Sequence, residues 1–183
     1  MPIALKSPRI VLRPWQEEDA PVLFSLASDP AVGPIAGWPP HTSVADSLRV
    51  IRDILSAPET YAVVLSETGE PAGSIGLHFG DAGTVPLSEG EAELGYWIGR
   101  KFWGRGLAPE AADMLIRHGF VDLRLSTLWC GYYDGNDRSR RVQEKCGFVF
   151  HHTEKDVARE PMGDVRTAHM SCLTKRMWEN QKR

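Results

Sequence analysis

Residues 91–109 read EAELGYWIGRKFWGRGLAP, and where this stretch is divided decides the fold. From Glu91 to Ile98 the residues alternate: Ala92, Leu94, Tyr96 and Ile98 fall on one face, Glu91, Glu93, Gly95 and Trp97 on the other. That is the two-residue period of a strand. Gly99 to Gly106 breaks the pattern, and Leu107, Ala111, Ala112, Leu115, Ile116 and Phe120 then recur on one side of a helix. Pro109 suits the first turn of that helix, where a missing N–H is no loss. A strand entering a helix through a Gly-rich turn makes an anion site, because free backbone N–H groups and the positive end of the helix dipole converge there. Glycines let the backbone approach phosphate oxygens, and Arg100, Lys101 and Arg105 add positive charge. A tight turn with solvated basic residues is the plainer reading. The turn lacks the Gly-Lys-Ser/Thr ending of a nucleoside-triphosphate loop, and Pro109 stands where a dinucleotide fingerprint has its third glycine. Both of those ligands are therefore disfavoured.

Upstream of this stretch, residues 9–13 (RIVLR) read as a first strand ended by Pro14. Asp19 stands where it would cap a helix running to about Ala27. Gly33 to Pro40, with Pro34, Gly37, Trp38, Pro39 and Pro40, reads as a loop. Ser43 with Asp46 resembles a capping box before Val44, Leu48, Ile51 and Leu55 at helical spacing. Residues 61–65 and 72–79 read as a hairpin about Glu67-Thr-Gly-Glu70, followed by a loop over 80–90. Downstream, 125–132 is a strand and Ser139–Cys146 a short helix closed by Gly147. Strands around 148–155 and 165–174 precede a polar tail. The order β-α-α-β-β-β-α-β-α-β-β gives an α+β (mixed α/β) sheet protein, read as one domain over 1–183.

Composition narrows the function. With 183 residues the chain can bury one substantial core. Lys and Arg number 21 against 24 Asp and Glu, a net charge of −3, which disfavours a nucleic-acid binder. No apolar run is long enough to cross a bilayer, and the N-terminus lacks a signal-peptide pattern. Three scattered cysteines, Cys130, Cys146 and Cys172, suggest neither a disulfide framework nor a zinc quartet, so a cytoplasmic setting is expected. His151 and His152, adjacent on a strand, are expected on opposite faces, and no metal site is expected.

The chain resembles the GNAT superfamily of N-acetyltransferases, and within it the RimJ/RimL-like branch. That family's pyrophosphate loop is Gln/Arg-x-x-Gly-x-Gly/Ala, matched here by Lys101-x-x-Gly104-x-Gly106 with Lys in the first slot. Arg9-Ile-Val-Leu-Arg13-Pro14 followed by Asp19 is similar to the branch's opening, and Glu93-Leu-Gly-Tyr-Trp-Ile98 to its central strand. Asn136-x-x-Ser139-x-x-Val142-x-Glu144-Lys145-x-Gly147-Phe148 is similar to its late helix, and Leu173-Thr-Lys-x-x-Trp178 to its closing strand. The four matches around the loop come in the family's order, and with it span nearly the whole chain. The resemblance implies a mostly antiparallel, splayed sheet of about seven strands flanked by about four helices. It also implies an enzyme that passes the acetyl group of acetyl-CoA to a primary amine.

On that resemblance, acetyl-CoA is the co-substrate and no metal is needed. Leu94, Gly95, Tyr96, Trp97 and Ile98 would hold it along the strand. Lys101, Phe102, Trp103, Gly104, Arg105, Gly106, Leu107 and Ala108 would hold it at the turn, with Asn136 and Ser139 on the late helix. A backbone N–H of Leu94, Gly95 or Tyr96 would polarise the thioester carbonyl. Glu93 is the first candidate for the base that takes the amine proton, ahead of Glu91 and of water. Many family members carry a Tyr where this chain has Gln143, so help for the departing sulfur falls to Ser139, which could equally be a helix cap. Trp38, Pro39, Pro40, Tyr132 and Tyr133 could line an acceptor pocket. The expected acceptor is a small-molecule or peptide amine, with no nucleic acid and no membrane as partner, and a homodimer is left open. A longer acyl-CoA, or a silent acyl-CoA-binding module, are the alternatives.

Overall fold

A computed structural model describes residues 4–181. Its centre is one eight-stranded sheet in the order β1-β2-β3-β4-β5-β6-β8-β7. In chain order the elements are β1 (Leu5–Lys6), β2 (Ile10–Arg13), α1 (Ala20–Ala27), α2 (Gly33–Ala36), α3 (Val44–Val50), β3 (Thr60–Leu65), β4 (Pro71–His78), β5 (Glu91–Ile98), α4 (Leu107–Val121), β6 (Thr127–Tyr133), α5 (Asp137–Lys145), β7 (Val149–Arg159), β8 (Asp164–Thr174) and α6 (Lys175–Gln181). Every neighbouring pair is antiparallel except β5 with β6.

That exception shapes the molecule. β5 and β6 pair only at Glu91–Thr127, Ala92–Leu128 and Glu93–Trp129, and then part. β5 keeps β4 as its neighbour along its whole length, from His78–Glu93 to Gly73–Ile98. The alternation read from the sequence holds: Ala92, Leu94 and Ile98 are buried with Leu107, Ala111, Leu115, Ile116 and Phe120 of α4 in one core cluster. A second cluster gathers Trp15, Leu23, Ala27 and Ile51 against Ala62 and Val64 of β3, on the other side of the sheet.

Several expectations change. Among the described residues there are eight strands and six α-helices, where about seven and about four were expected. The two-residue β1 is too short to carry a pattern, and α2 turns within the Gly/Pro-rich stretch, Pro34 starting it and Gly37 ending it at φ 94°. The tail forms α6, so the last strand stops at Thr174. β7 begins one residue later than expected and runs on to Arg159. Asp19 does not cap α1; its carboxylate accepts from the Gln16 N–H and from the Arg13 guanidinium. Ser43 does cap α3, accepting from the Asp46 N–H at 3.0 Å. His151 and His152 do not alternate, because the β7–β8 register slips between Phe150 and His152. Their Nδ1 atoms stand 2.7 Å apart, beside Trp129.

Candidate active site

The parting of β5 from β6 leaves one edge of β5 without a strand partner. Three contacts fix which backbone groups face it. Gly99 N–H bonds back to Ala72 of β4, whereas the Leu94 carbonyl receives the Cys130 thiol at 3.2 Å and the Ile98 carbonyl receives Trp103 Nε1 at 2.8 Å. Because backbone direction alternates along a strand, the N–H and C=O of Tyr96 point into the gap. A single N–H there is a donor for an acyl oxygen.

The gap opens on a cleft of about 1040 Å³. Glu93, Leu94, Gly95, Tyr96 and Trp97 line it from β5, Cys130 to Tyr133 from β6, and Asn136 and Ser139 from the start of α5. Trp38, Pro39, Pro40 and His41 form the opposite wall. Trp38 meets Trp97 edge-on at 5.4 Å, and Trp97 stacks on Trp15 at 6.5 Å, so the wall is a fixed aromatic run. Trp38, Pro39, Pro40, Tyr132 and Tyr133 all line this cleft.

The turn residues lie beyond this cleft. Gly104 and Gly106 have φ of 76° and 74°, a backbone region that suits glycine, and no side chain caps the N-terminus of α4. A Cβ at Gly104 would meet nothing within 4 Å. The surface there is open to a ligand. Lys101 is paired with Glu70 at 2.5 Å, and the Arg105 carbonyl is held by Arg9 at 2.9 Å, while its guanidinium lies over the Phe102 ring. Ile98, Phe102 and Leu107 are buried in the core, so only their backbones are available to a ligand. Trp103 and Ala108 are half-buried, and the Arg138 guanidinium sits 3.7 Å from the Trp103 ring.

On α5 the helix cap is Asn136, whose side chain accepts the Ser139 N–H at 3.3 Å. Ser139 is thereby released from capping. Its hydroxyl lies 3.0 Å from the Tyr96 hydroxyl and 3.4 Å from Gln143 Nε2. The Tyr96 hydroxyl also donates to the Ser139 carbonyl at 3.1 Å. Burial, reinforced by Cys130, holds the Tyr96 phenol well above its ordinary range, so it keeps its proton at neutral pH. Gln143 is buried, and its Oε1 has no hydrogen-bond partner.

Glu93 is only 7% exposed, yet it reaches the cleft. Its two oxygens accept from the Thr84 N–H and, at 2.8 Å, from the Thr84 hydroxyl, which fixes the carboxylate in place. Directly across the ladder stands His78. Opposed residues of an antiparallel pair share a face, so the imidazole and the carboxylate are neighbours in the cleft. Burial pushes His78 down, against the pull of Glu93, and keeps it neutral. Gly95 makes room for the imidazole: a Cβ there would come within 2.9 Å of His78 Nε2. His78 was absent from the sequence reading because its only signal is the β4–β5 register. The Tyr96 hydroxyl likewise has no mark in the sequence, where only its place on the strand, and so its backbone, is legible.

Residues 9–149 match the acetyltransferase (GNAT) domain family. The "Uncharacterized N-acetyltransferase p20" of Bacillus licheniformis is 34% identical over 129 residues, covering 68% of this chain and 70% of its own. YdaF of Bacillus subtilis (strain 168), named for a proposed ribosomal N-acetyltransferase activity, is 33% identical over 117 residues, 62% of this chain and 59% of its own length. An acetyltransferase of the GNAT family from Bacillus anthracis, solved as a crystal structure, has the same fold at a TM-score of 0.78 and 19% identity, over 95% of this chain and 99% of its own. Among the described residues no helix is long and apolar enough to cross a membrane.

Proposed function

The chain belongs to the GNAT acetyltransferase family, and from that premise we propose that it moves the acetyl group of acetyl-CoA onto a primary amine, as a single catalytic unit working in the cytoplasm. The observation that carries the proposal is the unpartnered edge at Tyr96, which opens onto a cleft holding an acid–base pair, Glu93 and His78, and a hydroxyl pair, Tyr96 and Ser139. The residues present fit the co-substrate. The edge of β5 offers backbone groups to a pantetheine arm. The open, uncapped turn at Gly104–Ala108 offers N–H groups to a pyrophosphate.

In this reading the amine nitrogen attacks the thioester carbon while the Tyr96 N–H stabilises the oxygen that gains charge. The nitrogen gives up a proton to Glu93, with neutral His78 beside it as the outlet. The carbon–sulfur bond then breaks. Ser139 faces the departing sulfur, and its hydrogen-bond count explains how. A serine oxygen accepts twice and donates once. The Gln143 N–H is donated to Ser139 Oγ, and when the single Tyr96 hydrogen turns from the Ser139 carbonyl to the same Oγ, the serine hydrogen is free to be donated to the sulfur. Tyr96 thus stands where the resemblance leaves a vacancy at Gln143, reaching the same serine from the strand and not from the helix. The products are an amide and the free CoA thiol.

The acceptor follows either the ribosomal-protein type suggested by the YdaF name, a peptide α-amine, or a small-molecule amine. The experiment is release of CoA thiol from acetyl-CoA over a panel of peptide and small-molecule amines, run beside calorimetric binding of acetyl-CoA. Amine-dependent release supports the proposal. Tight binding with no release from any amine overturns it in favour of a silent acyl-CoA-binding module.

A further inference from the structure

The charges that line the cleft do not cancel one another. Arg49 is held by Asp46 at 2.7 Å and approaches Asp53 at 4.0 Å, so its one positive charge is taken up and the trio keeps a single net negative charge. Glu93 takes its hydrogen bonds from Thr84, a neutral residue, and pairs with no cation among the described residues. On the far wall, Arg159 at the end of β7 is its counterpart. Its hydrogen bond runs from Nη2 to the Gly37 carbonyl at 3.3 Å, and its Nε is buried with no partner. Among the described residues no carboxylate lies within ion-pair distance of it; Asp164, opposite it across the β7–β8 ladder, feels its charge but is bonded to Arg166. Arg166, stacked on the same Tyr133 ring, shows the contrast: it is clamped by Asp164 at 2.8 Å.

Arg159 is held where it stands. Its guanidinium lies 5.7 Å from the centre of the Tyr133 ring. Gly37, at φ 94°, gives it room: a Cβ there would come within 2.9 Å of both Arg159 Nε and the Tyr133 ring. Burial raises the Tyr133 hydroxyl above its ordinary range, and of the smaller influences Arg159 and Arg166 pull it down while Glu93 and Asp164 push it up, so both signs of charge act on this side chain of the cleft wall. An unpaired cation and an unpaired anion in one aromatic-walled cleft are complementary to a ligand that carries both signs. A polyamine or an aminoglycoside would satisfy Glu93 and leave Arg159 facing further positive charge.

We propose that Arg159 is the anion-recognition point of the acceptor pocket, and that the acceptor is an amine carrying a carboxylate. The inference rests on the acetyl-transfer reading of the cleft. The carboxylate can be that of a free amino acid or an acidic side chain near a peptide's N-terminus. A guanidinium binds either in the same way, through paired N–H donors.

Matched acceptors separate the sources. One series sets phenylalanine against phenylalaninamide, and β-alanine and 4-aminobutyrate against their amides. The other sets a short peptide beginning Ala-Glu against one beginning Ala-Gln. The readout is the ratio of kcat/KM for acid over amide. In the wild type at least one series gives a ratio of about 10 to 100, the range for a charge-assisted pair. Arg159→Gln brings it close to one, and Arg159→Lys, which keeps the charge, retains a clear preference. A wild-type ratio near one in both series overturns the proposal, as does a preference that survives in Arg159→Gln. If no amine releases CoA thiol, the acetyl-transfer reading fails separately. Calorimetric titration of the same pairs into the CoA-saturated protein then decides. Tighter binding of the acid, lost in Arg159→Gln, supports the anion site, and equal binding of acid and amide overturns it.

Discussion

The Tyr96 hydroxyl, carried on strand β5, stands 3.0 Å from the Ser139 hydroxyl on helix α5. Strand and helix lie on the two sides of the gap between β5 and β6, so this contact spans the place where a thioester sulfur would leave. If Tyr96 orients Ser139, the two act as one unit. Tyr96→Phe and Ser139→Ala should each lower kcat by about 10- to 100-fold, and the double variant should be little worse than either single one. Additive losses would show that the two hydroxyls act separately. The buried phenol keeps its proton far above neutrality, so the Tyr96→Phe loss should be the same factor across pH 7 to 9 (about the α-amine range).

Glu93→Gln keeps the shape of the side chain and removes its basicity. Turnover should fall by about 10²-fold or more, with acetyl-CoA affinity little changed. The loss should be largest at low pH, and should shrink as pH approaches the amine's own pKa, about 8 for an α-amine. Wild-type rates at every pH would make Glu93 a structural partner of Thr84 and pass the base role to His78.

A side chain at the turn should act on the co-substrate. Gly104→Val has free space around its first carbon, so packing does not oppose it, although φ of 76° adds about 1–2 kcal/mol of backbone strain. Combined with Gly106→Val it should weaken acetyl-CoA binding more than tenfold, read by calorimetry. A circular-dichroism melt checks that the fold persists. Unchanged affinity would remove the pyrophosphate from this turn.

The titration of the cleft histidines sets a pH dependence of stability. Burial lowers both His41 and His78 below the ordinary value of 6.5. Above pH 6.5 they are neutral in the folded and unfolded chains alike. As pH falls, the unfolded chain takes up protons first, so stability is lost between the unfolded value and the lower folded ones. Urea midpoints measured from pH 7.5 to 5 (a window about the ordinary histidine value) should decline, and more shallowly in His78→Gln. An identical slope in the variant would show that His78 does not titrate differently on folding.

Much of the fold is legible in the sequence. The alternation of Glu91–Ile98, the glycines after it and the helical spacing from Leu107 are local patterns, and local patterns survive folding. The Ser43 cap and the hairpin about Thr68-Gly69 are local too. What escaped depends on which strand lies beside which. His78 gains meaning only from its place opposite Glu93, and Arg159 only because β7 extends to Gly37. Ser139 could be read as a cap or a catalyst until Asn136 was seen to cap the helix. The slip at Phe150–His152 overturned an alternation rule that holds for regular strands and fails at a bulge.

The central claim is that this cleft forms an amide from acetyl-CoA. The direct measurement supplies acetyl-CoA labelled with carbon-13 at the carbonyl, together with the acceptor series, and follows the label by mass spectrometry while counting free CoA thiol. The account predicts one labelled amide per thiol released, with both rates falling together in Tyr96→Phe and in Glu93→Gln. Label recovered as acetate, at a rate indifferent to the amine and to both substitutions, would contradict it.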